Sequence, residues 1–168
     1  MLRLKTQATV EPVTLTEVKA WLNITVTDWD AKLTAGIVSA RMQIERLIGM
    51  SLAAVTYEYE IQDYSDSYID LPYPKIASIT SVTNTDSSGT VTTVNISDYK
   101  LIGSRLNYSG NNGMVTVTYL TAAPVANEFT KQMILKQVGY DYRNAFEPKG
   151  IDEEVLRISK LITINNGY

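Results

Sequence analysis

The stretch from Thr27 to Gly49 reads TDWDAKLTAGIVSARMQIERLIG, and it decides how the rest of the chain must be organised. Its apolar residues recur at steps of three and four, which places them on one stripe of a helix about six turns long. Thr27 and Asp30 predict the N-terminal cap of this helix, and Gly49 predicts its end. Other helices must cover the stripe, which comprises Trp29, Leu33, Ile37, Ala40, Ile44, Leu47 and Ile48.

Small residues lie beside this stripe, at Ala35, Gly36, Ser39 and Ala40. Glycine inside a helix costs about 1 kcal/mol relative to alanine. Gly36 therefore has two interpretations, which the sequence leaves open. Either it allows another helix to approach closely, or it is simply a tolerated glycine.

Composition limits what this chain of 168 residues can do. The length predicts one domain, or one domain with a sizeable insertion. Its net charge of −3, from 15 basic and 18 acidic residues, indicates no surface for nucleic acid or anionic membranes. The sequence has no cysteine and no histidine, which excludes Ser-His-Asp and Cys-His catalysis and imidazole-ligated zinc. It has no long apolar run, so we expect neither a signal peptide nor a membrane span.

The chain before and after the long helix differs in character. Residues 1–13 predict an irregular or extended arm, and Thr14 with Glu17 has the spacing of a capping box at the start of a short helix. Residues 52–121 are rich in Thr, Val, Ile and Tyr and predict five or six strands. One hairpin should turn at Asp86 to Gly89. A second should pair DYKLIGSRLNY with MVTVTYL around Gly110 to Gly113.

Helical patterns return after Pro124. Asn127 predicts the cap of one helix, whose apolar face should hold Phe129, Met133, Ile134, Val138 and Tyr142. Asp152 predicts the cap of another, with Val155, Ile158 and Ile162 on one face. The last residues, TINNGY, predict a polar and mobile end that a partner could order.

The predicted fold class is α+β. Helices from both ends of the chain form a bundle, and the central antiparallel β insertion is a sheet or a small sandwich. The boundaries are 1–50 for the arm and helical hairpin, 51–123 for the β insertion, and 124–168 for the C-terminal helices and tail. We expect these parts to form one composite domain.

No motif in the sequence predicts catalysis. Asp63, Asp66 and Asp70 could hold a cation or act as a carboxylate pair, but their spacing fits a solvated loop better. No glycine-rich phosphate loop occurs. We expect no catalytic residue, no cofactor and no metal. Tyrosines that could stack on sugars, or fill a half-buried strand face, are Tyr57, Tyr59, Tyr64, Tyr68 and Tyr73.

PVTLTEVKAWLNI and the long helix ending at Ile48 and Gly49 would form an opening helical hairpin. This hairpin resembles the one that opens the head–tail connector family of tailed bacteriophages, also called head-completion or adaptor proteins. DLPYPKIASITSV resembles the family's Leu-Pro-x-x-Pro turn and following strand, and TDSSGTVTTVNISDYKL its Asp-x-x-Gly and Asp-Tyr stretch. EFTKQMILKQVGYDYRNA resembles its later helix. The resemblance covers nearly the whole chain, although NNGY fits no family pattern.

The resemblance implies a structural ring beneath the portal at the capsid–tail junction of the virion, after assembly in the host cytoplasm. The ring would have twelve copies, assemble from monomers, contact the portal and the next tail component, and let DNA pass without specific binding or membrane contact. The residues implied in portal binding are Asp152, Val155, Arg157, Ile158, Ile162, Asn166 and Tyr168. Those implied in the ring interface are Ala35, Gly36, Ser39, Arg41, Lys131 and Arg143.

The sequence leaves two other functions open. A carbohydrate- or surface-binding β module would use the tyrosine-rich strands. An enzyme would use the Asp63, Asp66 and Asp70 cluster, and a strongly raised carboxylate pKa in a closed cleft would support it.

Overall fold

The computed structural model of the protein describes residues 1–64, 66–108, 113–122, 128–147 and 150–165. The described helices are α1 (Leu15–Leu22), α2 (Asp30–Ile48), α3 (Glu128–Arg143) and α4 (Glu153–Asn165). The described strands are β1 (Leu2–Thr6), β2 (Thr56–Ile61), β3 (Tyr68–Asp70), β4 (Ile76–Thr85), β5 (Val91–Thr93), β6 (Tyr99–Ile102), β7 (Arg105–Tyr108) and β8 (Met114–Thr121). The predicted α+β class is confirmed.

The chain divides into two compact units, each made of two separate stretches. The sheet unit comprises Met1–Thr9 and Ala53–Pro124, and the helical unit comprises Val10–Leu52 and Val125–Tyr168. The expectation of a single composite domain with boundaries near 50 and 124 stays a prediction.

Local sequence determines where α1 and α2 begin and end. The hydroxyl of Thr14 accepts the amide of Glu17 and the Glu17 carboxylate accepts the amide of Thr14, so the predicted capping box is confirmed. The predicted cap at Thr27 is wrong: α2 begins at Asp30, and Thr27 contributes only its carbonyl oxygen, which accepts the Asp30 amide. Gly49 ends α2 with φ at 67°, as predicted.

The stripe on α2 is covered by the C-terminal helices, as predicted. Leu33, Ile37, Ala40, Ile44 and Ile48 share one buried cluster with residues of α3 and α4, namely Met133, Ile134, Val138 and Val155. The predicted place of Phe129 in this core is wrong, because its side chain is 64% exposed.

Two polar side chains explain the error at Phe129. The buried face of α3 also contains Thr130 and Gln137. With about 100° per residue, these residues shift the centre of the face away from Phe129, which falls at its margin.

Two antiparallel sheets form the sheet unit. The five-stranded sheet has the order β1-β2-β8-β4-β5, and the three-stranded sheet has the order β3-β7-β6. One buried cluster takes residues from both sheets, including Tyr57, Val82 and Val117 from the first and Ile69 and Leu106 from the second. The arm predicted for residues 1–13 thus contains an edge strand, β1, whose register sets Leu4 opposite Tyr57.

The hairpin at Asp86 to Gly89 is confirmed. Thr85 pairs with Val91, and one carboxylate oxygen of Asp86 accepts the amides of Ser88 and Thr90 at 2.8 and 3.0 Å.

The second predicted hairpin is wrong in its pairing. DYKLIGSRLNY is itself a hairpin, because Gly103, at φ 65°, allows β6 to turn back onto β7. β8 instead lies between β2 and β4, where Val115, Val117 and Tyr119 are fully buried. Of the predicted turn, residues 109–112 lie outside the described part of the chain.

The C-terminal helix is longer than predicted. The Asp152 carboxylate accepts the amides of Glu154 and Val155 at 2.9 and 3.4 Å, which confirms the cap. α4 continues to Asn165, so half of the stretch predicted as a mobile tail is helical. Residues 166–168 and the predicted cap Asn127 lie outside the described residues.

Candidate docking surfaces

A groove opens on the outer side of α2. It has a volume of about 370 Å³ and lies within the helical unit. Exposed Ala35 and Ser39 form one wall, and Asp141 and the turn after α3 form the other. Its further lining residues are Lys32, Gly36, Gln43, Phe146, Glu147 and Gly150.

The ring of Phe146 rests on Gly36. A Cβ atom placed on Gly36 would lie 2.9 Å from Cε1 of Phe146, closer than real Cβ contacts. The turn that aims this ring contains two non-glycine residues with left-handed backbone, Ala145 (φ 55°) and Phe146 (φ 60°). Such residues cost about 1–3 kcal/mol each, so the surrounding contacts must hold the turn in place. Among the described residues, the atoms nearest to this Cβ position belong to an aromatic ring and not to another helix.

The acidic side of the groove depends on Gln137. Its Nε2 donates to Asp141 Oδ1 at 2.9 Å and to the carbonyl of Gly150 at 3.2 Å, while its Oε1 accepts the Asp152 amide at 3.0 Å. Burial raises the pKa of the Asp141 carboxyl, and the hydrogen bond from Gln137 partly offsets this. Gln137 is fully buried, so this one amide fixes the connection between α3 and α4.

The other residues suggested for a ring interface are not all at the surface. Arg41 is only 1% exposed and pairs with Glu11 and Glu45. Lys131 pairs with Glu17 at 3.0 Å, across α3 and α1. Arg143 is exposed at the end of α3.

The residues suggested for portal binding also differ in exposure. Val155 is fully buried in the helical core, and Ile158 and Ile162 pack against that core. Arg157 is exposed on α4, and Asp152 caps the helix. Asn166 and Tyr168 lie outside the described residues.

The aspartate cluster does not form a site. Asp63, Asp66 and Asp70 are exposed, and Asp70 pairs with Arg105 at 2.8 Å. Across the described ranges, no group of three or more carboxylates could hold a metal ion. In those ranges there is also no helix with the length and hydrophobicity to span a membrane.

The tyrosines mostly fill the core of the sheet unit. Tyr57 stacks on Tyr73 with ring centroids 4.9 Å apart, and the Tyr64 hydroxyl donates to the carbonyl of Tyr108 at 2.6 Å. Tyr68 is exposed, but the guanidinium of Arg105 lies over its ring at 4.2 Å. No open face of stacked rings is therefore available for a sugar among these residues.

The groove on α2 was not predicted from the sequence. Phe146, Gln137 and Asp141 are brought to α2 by tertiary packing, and none lies in a recognisable motif. The only local indication was Gly36 itself, whose cost in a helix suggested a close neighbour.

Residues 11–150 match the head completion protein family. No similar sequence was found among curated proteins.

Solved structures share the fold at low sequence identity. This chain superposes with a TM-score of 0.76 on a chain of the neck of an empty gene transfer agent (GTA) particle computed with C6 symmetry. It superposes equally well on a chain of the virion of a native GTA particle. The neck of a native GTA particle computed with C12 symmetry gives 0.70. In each case identity is 16%, and the alignment covers 96% of this chain and 94% of the other. Because the family match spans most of its length, the chain belongs to the head completion protein family and is a structural head–tail connector of the virion.

Proposed function

We propose that the protein assembles as a ring of twelve copies beneath the portal, joins the capsid to the next tail component, and surrounds the channel through which DNA leaves. The observation that carries the proposal is the fold shared with chains from GTA particles, over 96% of this chain. Those necks were computed with C6 and C12 symmetry, and a ring of twelve satisfies both. The net charge of −3 favours DNA passing through without adhering.

A closed ring requires two different faces that fit each other. We assign one of them to the groove side of α2, where Ala35 and Ser39 are exposed, together with Arg143. Gly36 contributes by letting Phe146 form the groove floor. Lys131 and buried Arg41 would support the interface by holding the helices and not by direct contact.

The C-terminal segment would reach the portal. Val155, Ile158 and Ile162 would hold α4 on the bundle, because they pack in the core. Contact with the portal would then fall to Arg157 and to the end of the chain, including Asn166 and Tyr168. Asp152 would contribute by starting the helix.

The role is structural in this proposal. The sequence contains neither histidine nor cysteine, and its carboxylates at Asp63, Asp66 and Asp70 are exposed. We therefore infer that the protein is not an enzyme and needs no cofactor. It would be made in the host cytoplasm as a monomer and form the ring on the portal.

Electron microscopy of the purified protein mixed with the portal tests the ring. We expect rings stacked on the tail-side end of the portal, and the absence of any density there would refute the proposal. Ser39→Arg places a long cation in the groove wall and should prevent ring formation. Thr16→Arg, an equally exposed change on α1, is the matched control and should leave the rings intact.

Truncation tests the portal contact. Removing all residues from Asp152 onward would also remove Val155 from the core, so loss of docking would be ambiguous. A chain ending at Ile162 keeps the packed residues. It should remain folded but fail to dock, and normal attachment would refute the role of the end of the chain.

A further inference from the structure

A buried ion cluster lies at one side of α2. Nε of Arg41 is 2.7 Å from Glu11 Oε2, and Nη1 of the same guanidinium is 2.8 Å from Glu45 Oε2. The second oxygen of Glu45 accepts the amide of Leu52 at 2.7 Å and the hydroxyl of Ser51 at 3.2 Å. The side chains of Arg41 and Glu45 are only 1% and 2% exposed.

The position of these partners in the chain is informative. The first stretch of the helical unit is Val10–Leu52, so Glu11 is its second residue and Leu52 its last. Glu11 follows the end of β1 by five residues, and Leu52 precedes the start of β2 by four. The cluster therefore holds Glu11 and Leu52, which lie close to the two points where the chain passes from one unit to the other.

Buried ion pairs of this kind contribute little net stability, and in some proteins they fix the geometry of their partners. Desolvation of buried charges offsets most of their attraction, whereas removal of one partner leaves a buried charge uncompensated. Burial indeed raises the pKa of Glu45, against the opposing effects of the Leu52 amide and Arg41. A guanidinium can hold two carboxylates in fixed directions, which an ammonium cannot do in the same way.

Most of the helical core consists of aliphatic contacts between α2, α3 and α4, and Val13, Val18 and Leu52 add to it. The sheet unit has its own core. We propose that Glu11, Arg41 and Glu45 form a conformational latch: when closed it fixes both ends of the segment Val10–Leu52, and when open it frees those ends, with Val13 and Leu52, while α2, α3 and α4 stay packed and the sheet unit stays folded. This proposal does not depend on ring formation.

Hydrogen exchange of the free protein, followed by mass spectrometry, tests the latch. Arg41→Lys keeps the charge but can bridge only one carboxylate well. We expect exchange to become at least about tenfold faster in peptides covering residues 8–13 and 51–55. Peptides from the cores, around Ile134 in the helical unit and Val117 in the sheet unit, should keep their protection.

Glu11→Gln gives a second, milder test, because Glu11 lies at the edge of the cluster. It should accelerate exchange at residues 8–13 and leave 51–55 unchanged, since Leu52 is held by Glu45. Glu17→Gln removes a different ion pair of the helical unit and should affect neither segment.

Two results would overturn the latch. One is uniform acceleration across segments and cores in Arg41→Lys, which would mean that the cluster only contributes to global stability. The other is unchanged exchange at residues 8–13 in Glu11→Gln. If Arg41→Lys does not fold, the Glu11→Gln result decides alone.

Discussion

The contact between Gly36 and Phe146 predicts that Gly36→Ala destabilises the protein when the Phe146 ring is present and stabilises it when the ring is removed. Gly36→Ala adds a Cβ atom 2.9 Å from Cε1 of Phe146, and ordinary carbon contacts begin near 3.5 Å, so the ring must move by about 0.6 Å. Overpacking of this kind costs about 1–3 kcal/mol. The better helix propensity of alanine returns about 1 kcal/mol. We expect Gly36→Ala to lower the free energy of unfolding by about 1 kcal/mol.

Removing the ring should reverse this result. In a Phe146→Ala background nothing opposes the helix propensity, so Gly36→Ala should raise the free energy of unfolding by about 1 kcal/mol. The coupling energy of the double-mutant cycle would then be about 2 kcal/mol. Urea denaturation followed by tryptophan fluorescence measures all four proteins.

A second helical glycine provides the control. A Cβ atom on Gly139 would meet Leu22 Cδ2 at 3.4 Å, only about 0.1 Å short of an ordinary carbon contact, so Gly139→Ala should not destabilise the protein. If Gly36→Ala stabilised the protein equally with and without Phe146, the ring would be free to move and our account of Gly36 would be wrong.

Three further predictions concern single polar side chains. Hydrogen bonds from the amide of Thr14, and then from Lys131, lower the pKa of Glu17 to about 2. The full shift corresponds to about 3.4 kcal/mol. Because the Glu17 side chain is 41% exposed, we expect it to contribute about 1 kcal/mol to the free energy of unfolding. This stability is present above pH 4.5 and lost as the pH falls towards 2, and a Glu17→Gln protein should lack that part of the acid dependence in thermal melts. Asp152→Ala should cost about 1 kcal/mol in urea denaturation, because α4 loses its cap, whereas Asp152→Asn should cost much less; equal losses would contradict the capping role. Thr121→Val should cost about 1–3 kcal/mol in urea denaturation, because the buried hydroxyl accepts the amide of Val55, whereas Thr121→Ser should retain most of the stability; a larger loss in Thr121→Ser would contradict the role of the hydroxyl.

The sequence predicted the helices well because their evidence is local. The stripe on α2 repeats with the helical period, and Thr14, Gly49 and Asp152 are residue types that cap helices by direct hydrogen bonds or backbone conformation. Family resemblance came from the order of such segments, and the match to head completion proteins confirms it.

Strand partners were harder to predict because pairing is not local. β8 lies between β2 and β4, which come much earlier in the chain, and nothing within MVTVTYL specifies that position. β1 is an edge strand held by its ladder with β2, so its short sequence LRLKT carries little hydrophobic pattern.

The surfaces were the least predictable part. Arg41 and Glu45 lie at i,i+4 spacing, which usually indicates an exposed pair, and only tertiary packing shows that they are buried. The groove needs Phe146 to fold back onto Gly36 from more than 100 residues away. No pattern in one sequence can predict such an encounter.

The alternation of the two units along the chain has a consequence for synthesis. Every described strand of the sheet unit has been translated by residue 121, whereas the helical unit needs α3 and α4, which are translated after it. The apolar stripe of α2 therefore lacks the cover of these two helices while residues 49–137 are being made. We expect nascent chains that stall before residue 138 to bind chaperones through that stripe, and release to follow only when Val138 and Val155 have emerged.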